Sequence, residues 1–204
     1  MSIPITFTTR LDGDFRKRKI PLTIFAQQIH GNTVARVSKD DVGTIIRGAD
    51  GLVYKKEMRA PIFLAVRVAD CIPIIAYDSA AQIIGAAHAG WRGTFDTIAQ
   101  ELIIQMCKLG GKIRRIHVSM GPHIGACCYG VDKERAAAFQ KKFGTKGHYL
   151  DLGAINRDIL VRMGVISSHI LVSDICTSCH NDQYFSYRKD TKETFGEQVG
   201  MIGI

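Results

Sequence analysis

At 204 residues, with 46% apolar and 23% charged side chains, the chain has the make-up of a globular protein with a real core, which excludes a disordered or fibrous one. Its net charge of +8 attracts anions of every kind, from nucleic acid to small phosphates, without choosing among them. No apolar run approaches the roughly 18 to 20 residues of a membrane-spanning helix, so no membrane partner is expected.

The first ten residues, MSIPITFTTR, lack a basic segment followed by an apolar one, which predicts neither signal peptide nor anchor and a cytoplasmic protein. In that setting the six cysteines are expected as thiols, ligands or nucleophiles, not as a disulfide framework. Residues 3–8 read as the first strand. The run Arg16-Lys17-Arg18-Lys19 carries no interleaved aromatics and is expected to be a solvated loop, so no nucleic-acid partner is assigned. Residues 33–37, 62–68, 72–77 and 82–87 are short, β-branched and largely apolar on both faces, the pattern of strands in a sheet covered on each side. A helix is predicted over 94–109, where Phe95, Ile98, Leu102, Met106 and Leu109 recur at three- and four-residue steps before Gly110-Gly111 ends it. Further helices are expected over 131–143 and 154–163, and further strands over 113–120 and 169–173. No repeat or linker divides the chain. The expectation is one α/β (α+β) domain over 1–204, a layered mixed-sheet sandwich with helices covering the sheets.

The densest chemical signal lies between Val66 and Gly93. Cys71 follows one strand and His88 ends another, so both can reach one rim of a sheet beside Gly90-Trp91-Arg92-Gly93. That turn opens the predicted long helix, whose free N–H groups and dipole, with the guanidinium of Arg92, suit an anion such as phosphate. His30, in Gln27-Gln28-Ile29-His30-Gly31, can complete a set of two imidazoles and one thiolate. Such a set is a three-ligand catalytic zinc site with an open position, and its softness also permits copper. Spacing alone leaves the bland alternatives standing: a buried hydrophobic cysteine and hydrogen-bonded core histidines. Asp50 and Asp70 are candidate proton carriers or turn residues. Cys176-Thr-Ser-Cys179-His180 matches the haem-attachment pattern, but without an export signal haem is not expected; as a zinc knuckle it lacks a spaced second pair. The adjacent Cys127 and Cys128 are expected in the core or in a site wall.

The strings Ala69-Asp-Cys-Ile-Pro73, His88-Ala-Gly-Trp-Arg-Gly93, Gly121-Pro-His-Ile-Gly125 with Cys128-Tyr129, Leu150-Asp-Leu152 with Asn156, and Cys176-Thr177 followed by Phe185-Ser-Tyr-Arg188 resemble, in order, the laccase-domain family. That family is also called multicopper polyphenol oxidase and, more recently, purine nucleoside phosphorylase. The resemblance implies one zinc or copper ion held by His30, Cys71 and His88, which are then also the catalytic residues. It implies phosphorolysis of adenosine, inosine, guanosine and methylthioadenosine, and adenosine deamination, with purine nucleoside and phosphate as partners. Arg92, Gly90, Gly93, Arg10 and Asp70 are the candidates for substrate and phosphate, in a monomer or weak homo-oligomer. Copper-dependent polyphenol oxidation is the older family assignment, yet seven singly placed histidines do not supply a multicopper centre. A metal-free thiol hydrolase, with Cys71 as nucleophile and His88 as base, uses the same residues. Three departures from the family pattern bear on phosphate: Val68 where a threonine is usual before the Ala-Asp-Cys string, Glu197 where an arginine is usual, and a shortened stretch between Arg10 and Gln27.

Overall fold

The computed structural model describes residues 3–16, 18–57 and 61–204. The strands are β1 (Ile5–Phe7), β2 (Thr23–Ala26), β3 (Val34–Arg36), β4 (Ile45–Ile46), β5 (Gly51–Lys55), β6 (Phe63–Val68), β7 (Ile72–Asp78) and β8 (Ile83–Ala89), then β9 (His117–Met120), β10 (Ile170–Val172) and β11 (Gln198–Gly203). The helices are α1 (Trp91–Phe95), α2 (Ile98–Lys108), α3 (Lys133–Phe143) and α4 (Leu152–Arg162). One mixed sheet has the order β1-β11-β6-β2-β4 and the other β10-β9-β7-β8-β5-β3. This is the layered mixed α+β architecture expected.

The layers follow from side-chain alternation along the central strands. Ile75, Ile84, Ala86, Leu52 and Tyr54 of the second sheet meet Ile24, Leu64, Val66 and Ile202 of the first, which makes the inter-sheet core. On the other face of the same strands, Ile72, Ile74, Val53, Ile83 and Ala87 pack against Leu102, Ile103 and Met106 of α2, Phe139 of α3 and Ile155 and Leu160 of α4. Both faces of β8 are therefore covered, and all seven of its residues are buried. The described helices lie on the second sheet. The outer face of the first is closed by Phe15, with Ile20 beside it, against Phe25, Ala65 and Val199. That segment includes the basic run, in which Arg16, Arg18 and Lys19 are exposed as expected and Lys17 lies outside the described residues. Met1 and Ser2 of the N-terminal string also lie outside them.

Several elements differ from the sequence expectations. The helix over 94–109 is two: Thr97 takes a left-handed φ of 60° and separates the five-residue α1 from α2. Residues 113–115 form a 3-10 turn, and the strand begins only at His117. Strands β2, β4, β5 and β11 carried no separate sequence signal, because two to six mostly apolar residues have no readable period. The helices at 131–143 and 154–163 are present with shifted starts, each set by an aspartate: Asp132 Oδ1 accepts from the Arg135 amide at 2.7 Å and Asp151 Oδ1 from that of Ala154 at 2.8 Å.

Candidate active site

The site lies at one end of both sheets. Hairpin register places Pro73 of β7 opposite His88 of β8, so Cys71, two residues before Pro73, arrives beside Gly90. Strand β5 pairs with β8 on its other side, Gly51 opposite Ala87, which brings the preceding residue, Asp50, against His88. His30 comes from the loop after β2, in the first sheet. One ligand atom from each of His30, Cys71 and His88 lies within 4.8 Å of the others, and the two imidazole rings meet edge to face.

Asp50, fully buried, organises this arrangement. Its carboxylate accepts from the backbone amides of Ile29 at 3.2 Å, His30 at 2.9 Å and Gly31 at 2.8 Å, which pins the loop carrying His30. Its Oδ1 is also 3.0 Å from His88 Nδ1, which donates to it, so a metal entering the site would bind Nε2 by displacing its proton. Burial works against ionisation of Asp50, but the His88 imidazole and the amides of Gly31 and His30 outweigh it and hold the carboxyl below its usual range. Asp50 is thus an orienting group. Gln28, at φ 64°, adds a second tie: its Oε1 accepts from the Arg67 amide at 2.8 Å, fastening the loop to β6.

Burial pushes the Cys71 thiol up, yet the neighbouring imidazoles of His88 and His30 bring it down to about 7. Burial likewise disfavours a charged His88, but the Cys71 thiolate and Asp50 raise it to about 10. The thiolate a metal requires is therefore accessible near neutrality.

The residues fit a transition metal. A side chain on Gly90 would start 3.0 Å from Cys71 Sγ, 3.4 Å from the His30 ring and 3.9 Å from the His88 ring, so glycine here leaves open the hollow that the three donors surround. A soft thiolate and two imidazoles are a donor set that would suit zinc or copper. Gly90→Ala is expected to lower bound metal by at least about tenfold while the melting temperature changes little, because the added methyl crowds the three donors; elemental analysis of the purified variant checks it. Gly93 serves packing instead: a Cβ there would sit 2.9 Å from the Gly31 carbonyl.

The hollow opens into a cleft of about 850 Å³, within the size range of small-molecule sites. Arg16, Arg67, Arg92, Arg135 and Arg188 line it, together with the aromatics Trp91, Tyr129, Tyr187 and Phe195. Arg92 and Arg135 both lie over the Trp91 ring, at 4.9 and 4.1 Å. The short α1 corrects the expected anion site at the head of a long helix. Five residues carry little dipole, and the positive potential comes from the arginines.

Two other candidates are occupied elsewhere. Arg10 pairs with Asp190 at 2.7 Å, bonds the carbonyls of Tyr184 and Thr194 and covers the Phe185 ring, which makes it a clamp between chain ends and not part of the cleft lining. Asp70 borders the cleft in a left-handed turn, φ 78°, with its oxygens accepting from Thr177 Oγ1 at 2.6 Å and the Arg188 amide at 2.7 Å. Its carboxylate holds the wall together. Arg135, on α3, carried no sequence signal, since only the packing of α3 beside Trp91 brings it to the cleft. Arg67, on β6, carried none either: it reaches the cleft from the first sheet's outer face, where it lies over Phe25. Glu197 also lines the cleft. Burial raises its carboxyl, while Arg67 opposes the rise.

Among the described residues no helix is long and apolar enough to cross a membrane. Comparison with known proteins agrees with the architecture and the motifs. Purine nucleoside phosphorylase YlmD of Geobacillus stearothermophilus is 36% identical over 199 residues, covering 88% of this chain and 71% of the relative. Adenosine deaminase RL5, from an unknown prokaryotic organism, is 33% identical over 184 residues, covering 81% and 69%. The crystal structure of YlmD from G. stearothermophilus matches with a TM-score of 0.81 at 33% identity, covering 90% of this chain and 73% of that one. A family model described as multi-copper polyphenol oxidoreductase laccase matches residues 14–204, and the chain belongs to that family, the laccase-domain proteins.

Proposed function

We propose that the protein is a metal-dependent purine nucleoside phosphorylase, acting on adenosine, inosine, guanosine and methylthioadenosine, that also deaminates adenosine. The observation that carries this reading is the convergence of His30, Cys71 and His88 around the hollow kept by Gly90, at the floor of an arginine-lined cleft. The relatives named as purine nucleoside phosphorylase and adenosine deaminase support the substrate class. His30, Cys71 and His88 would hold one zinc or copper ion per chain, which would supply Lewis acidity. The chain's own residues do the rest. Asp50 orients the His88 ring; Tyr187, exposed in the cleft lining, offers a face against which a purine stacks; Arg92, Arg135 and Arg188 hold phosphate close to the glycosidic carbon, where positioning accounts for much of the rate. The ligands come from both sheets, which supports residues 1–204 working as one catalytic domain.

The test is purified, metal-quantified protein with adenosine, with and without phosphate, resolving adenine from inosine. Phosphate-dependent adenine is the expected product of the main reaction; absence of both products ends the reading. Glu197 bears on the phosphate half. A carboxylate facing a phosphate in a wet cleft costs about 1–2 kcal/mol, so Glu197→Gln is expected to lower the phosphate KM about tenfold with the adenosine KM unchanged. Initial rates at varied phosphate check it. An unchanged phosphate KM places the anion elsewhere.

One observation favours a second reading. Cys71 and His88 place ligand atoms within 4.8 Å of each other and Asp50 holds the far side of the imidazole, the arrangement of a thiol hydrolase, which needs no metal. Stoichiometric metal in fresh protein supports the first reading; metal-free active protein, inactivated by iodoacetamide, supports the second.

A further inference from the structure

Away from the cleft floor, four cysteines converge on the surface. Cys127 and Cys128 lie in the turn after Ile124, and Cys176 and Cys179 in the turn that follows β10. A parallel bridge between His123 and Cys176 joins the two turns, with the Thr177 amide donating to the His123 carbonyl at 3.0 Å. All four sulfurs lie within 4.8 Å of one another; Cys179 Sγ is 3.6 Å from that of Cys127 and 3.4 Å from that of Cys128. All four are free thiols. Apolar packing does not explain the cluster, because Cys127 and Cys179 are exposed and only Cys176 is buried. The spaced second pair missing from the sequence around Cys176 and Cys179 is supplied by the fold.

A tetrathiolate zinc centre, with zinc–sulfur bonds of about 2.3 Å, has sulfurs about 3.8 Å apart. The Cys179 separations of 3.6 and 3.4 Å fall just short of that distance, and every other pair lies within 4.8 Å. The backbone is prepared for negative sulfur: the Gly125 amide donates to Cys176 Sγ at 3.2 Å. A side chain at Gly125 would sit 3.3 Å from both Cys127 Sγ and Cys176 Cβ, so glycine also permits the approach of the two turns.

We propose that Cys127, Cys128, Cys176 and Cys179 bind a structural zinc ion, distinct from the metal held by His30, Cys71 and His88. Binding releases the thiol protons to solvent and leaves four thiolates on the ion, with no position open for water, so this centre stabilises and does not catalyse. Its neighbours give it a purpose. Tyr129, next to Cys128, lines the cleft; Thr177, next to Cys176, holds Asp70. Arg188 donates to the carbonyls of Cys128 and Gly130, both at 3.2 Å, while lining the cleft. Zinc joining the two turns therefore fixes one wall of the substrate cleft. The inference stands independently of which reaction the cleft performs.

The experiment uses the full chain purified under reducing conditions and loaded with zinc, in a His30→Ala/Cys71→Ala background that disables the first site. One tightly held zinc per chain is expected to remain, and adding Cys127→Ser and Cys179→Ser is expected to remove it. Cobalt loaded into the same background is expected to show the intense near-ultraviolet sulfur-to-cobalt bands of a tetrathiolate, a readout that survives even if the serine variants do not fold. Zinc absent from the background protein, or cobalt bound without those bands, overturns the proposal. So does a reduced protein that takes no zinc and instead forms disulfides among these cysteines in air, seen by intact mass.

Discussion

Replacing Cys71 by alanine is expected to remove one equivalent of metal per chain and to lower phosphate-dependent release of adenine from adenosine by about a thousandfold. The size follows from what is lost. A catalytic metal supplies several kcal/mol of transition-state stabilisation, and about 4 kcal/mol is a thousandfold in rate. Cys71 is the one soft donor among the three, so its loss leaves two imidazoles around a hollow sized for three ligands. The fold is expected to survive, because Cys71 stands in a turn between β6 and β7 and alanine fits wherever cysteine does. Elemental analysis and product chromatography on one preparation read both effects. Cys107→Ala, on α2 and remote from the cleft, serves as control and leaves both unchanged. Full activity in a metal-free Cys71→Ala protein would end the metal-dependent reading.

Asp50→Asn is expected to weaken metal binding by about 10- to 100-fold, the usual cost of losing a carboxylate behind a ligating histidine. It is also expected to lower stability by about 3 kcal/mol. Asparagine keeps the shape but turns one acceptor into a donor. At least one of the Ile29, His30 and Gly31 amides, or His88 Nδ1–H, then faces a donor in a site from which water is excluded. The loop carrying His30 loosens, and His88 is free to place its proton on the ligating nitrogen. Metal titration and denaturant unfolding separate the two consequences. The same carboxylate predicts acid sensitivity. Its folded pKa lies below its unfolded value, so its contribution to stability is present above the ordinary carboxylate range and disappears as pH falls through the lowered folded value. Asp50→Asn lacks that loss, and its unfolding free energy is correspondingly less steep in pH below about 4. Equal steepness in both proteins would remove Asp50 from its orienting role.

The strands that flank Cys71 and carry His88 are legible because β6, β7 and β8 are long enough, and apolar enough, to stand out from their turns, whereas β2, which leads to His30, is not. The short strands were not, and β5 shows the cost. In sequence Asp50 is a candidate proton carrier or turn residue, and only the pairing of β5 with β8 shows it behind His88. The periodic run from Phe95 to Leu109 gave no sign of the break at Thr97, since a single left-handed residue leaves the apolar spacing almost unchanged. Arg10 read as an anion ligand because charge is visible in sequence, whereas its partner Asp190 lies 180 residues away.

The types of donor, the glycines beside them and the family are readable along the chain, because each is carried by short strings whose chemistry does not depend on distant neighbours. Which residues share a site is set by the folding of those strings together. It brought Asp50 to His88 and Arg135 to Trp91, took Arg10 away from the cleft, and joined Cys127 and Cys128 to Cys176 and Cys179. Those outcomes depend on strand register and on the packing of separate loops, where the energy of a contact belongs to pairs of residues far apart along the chain.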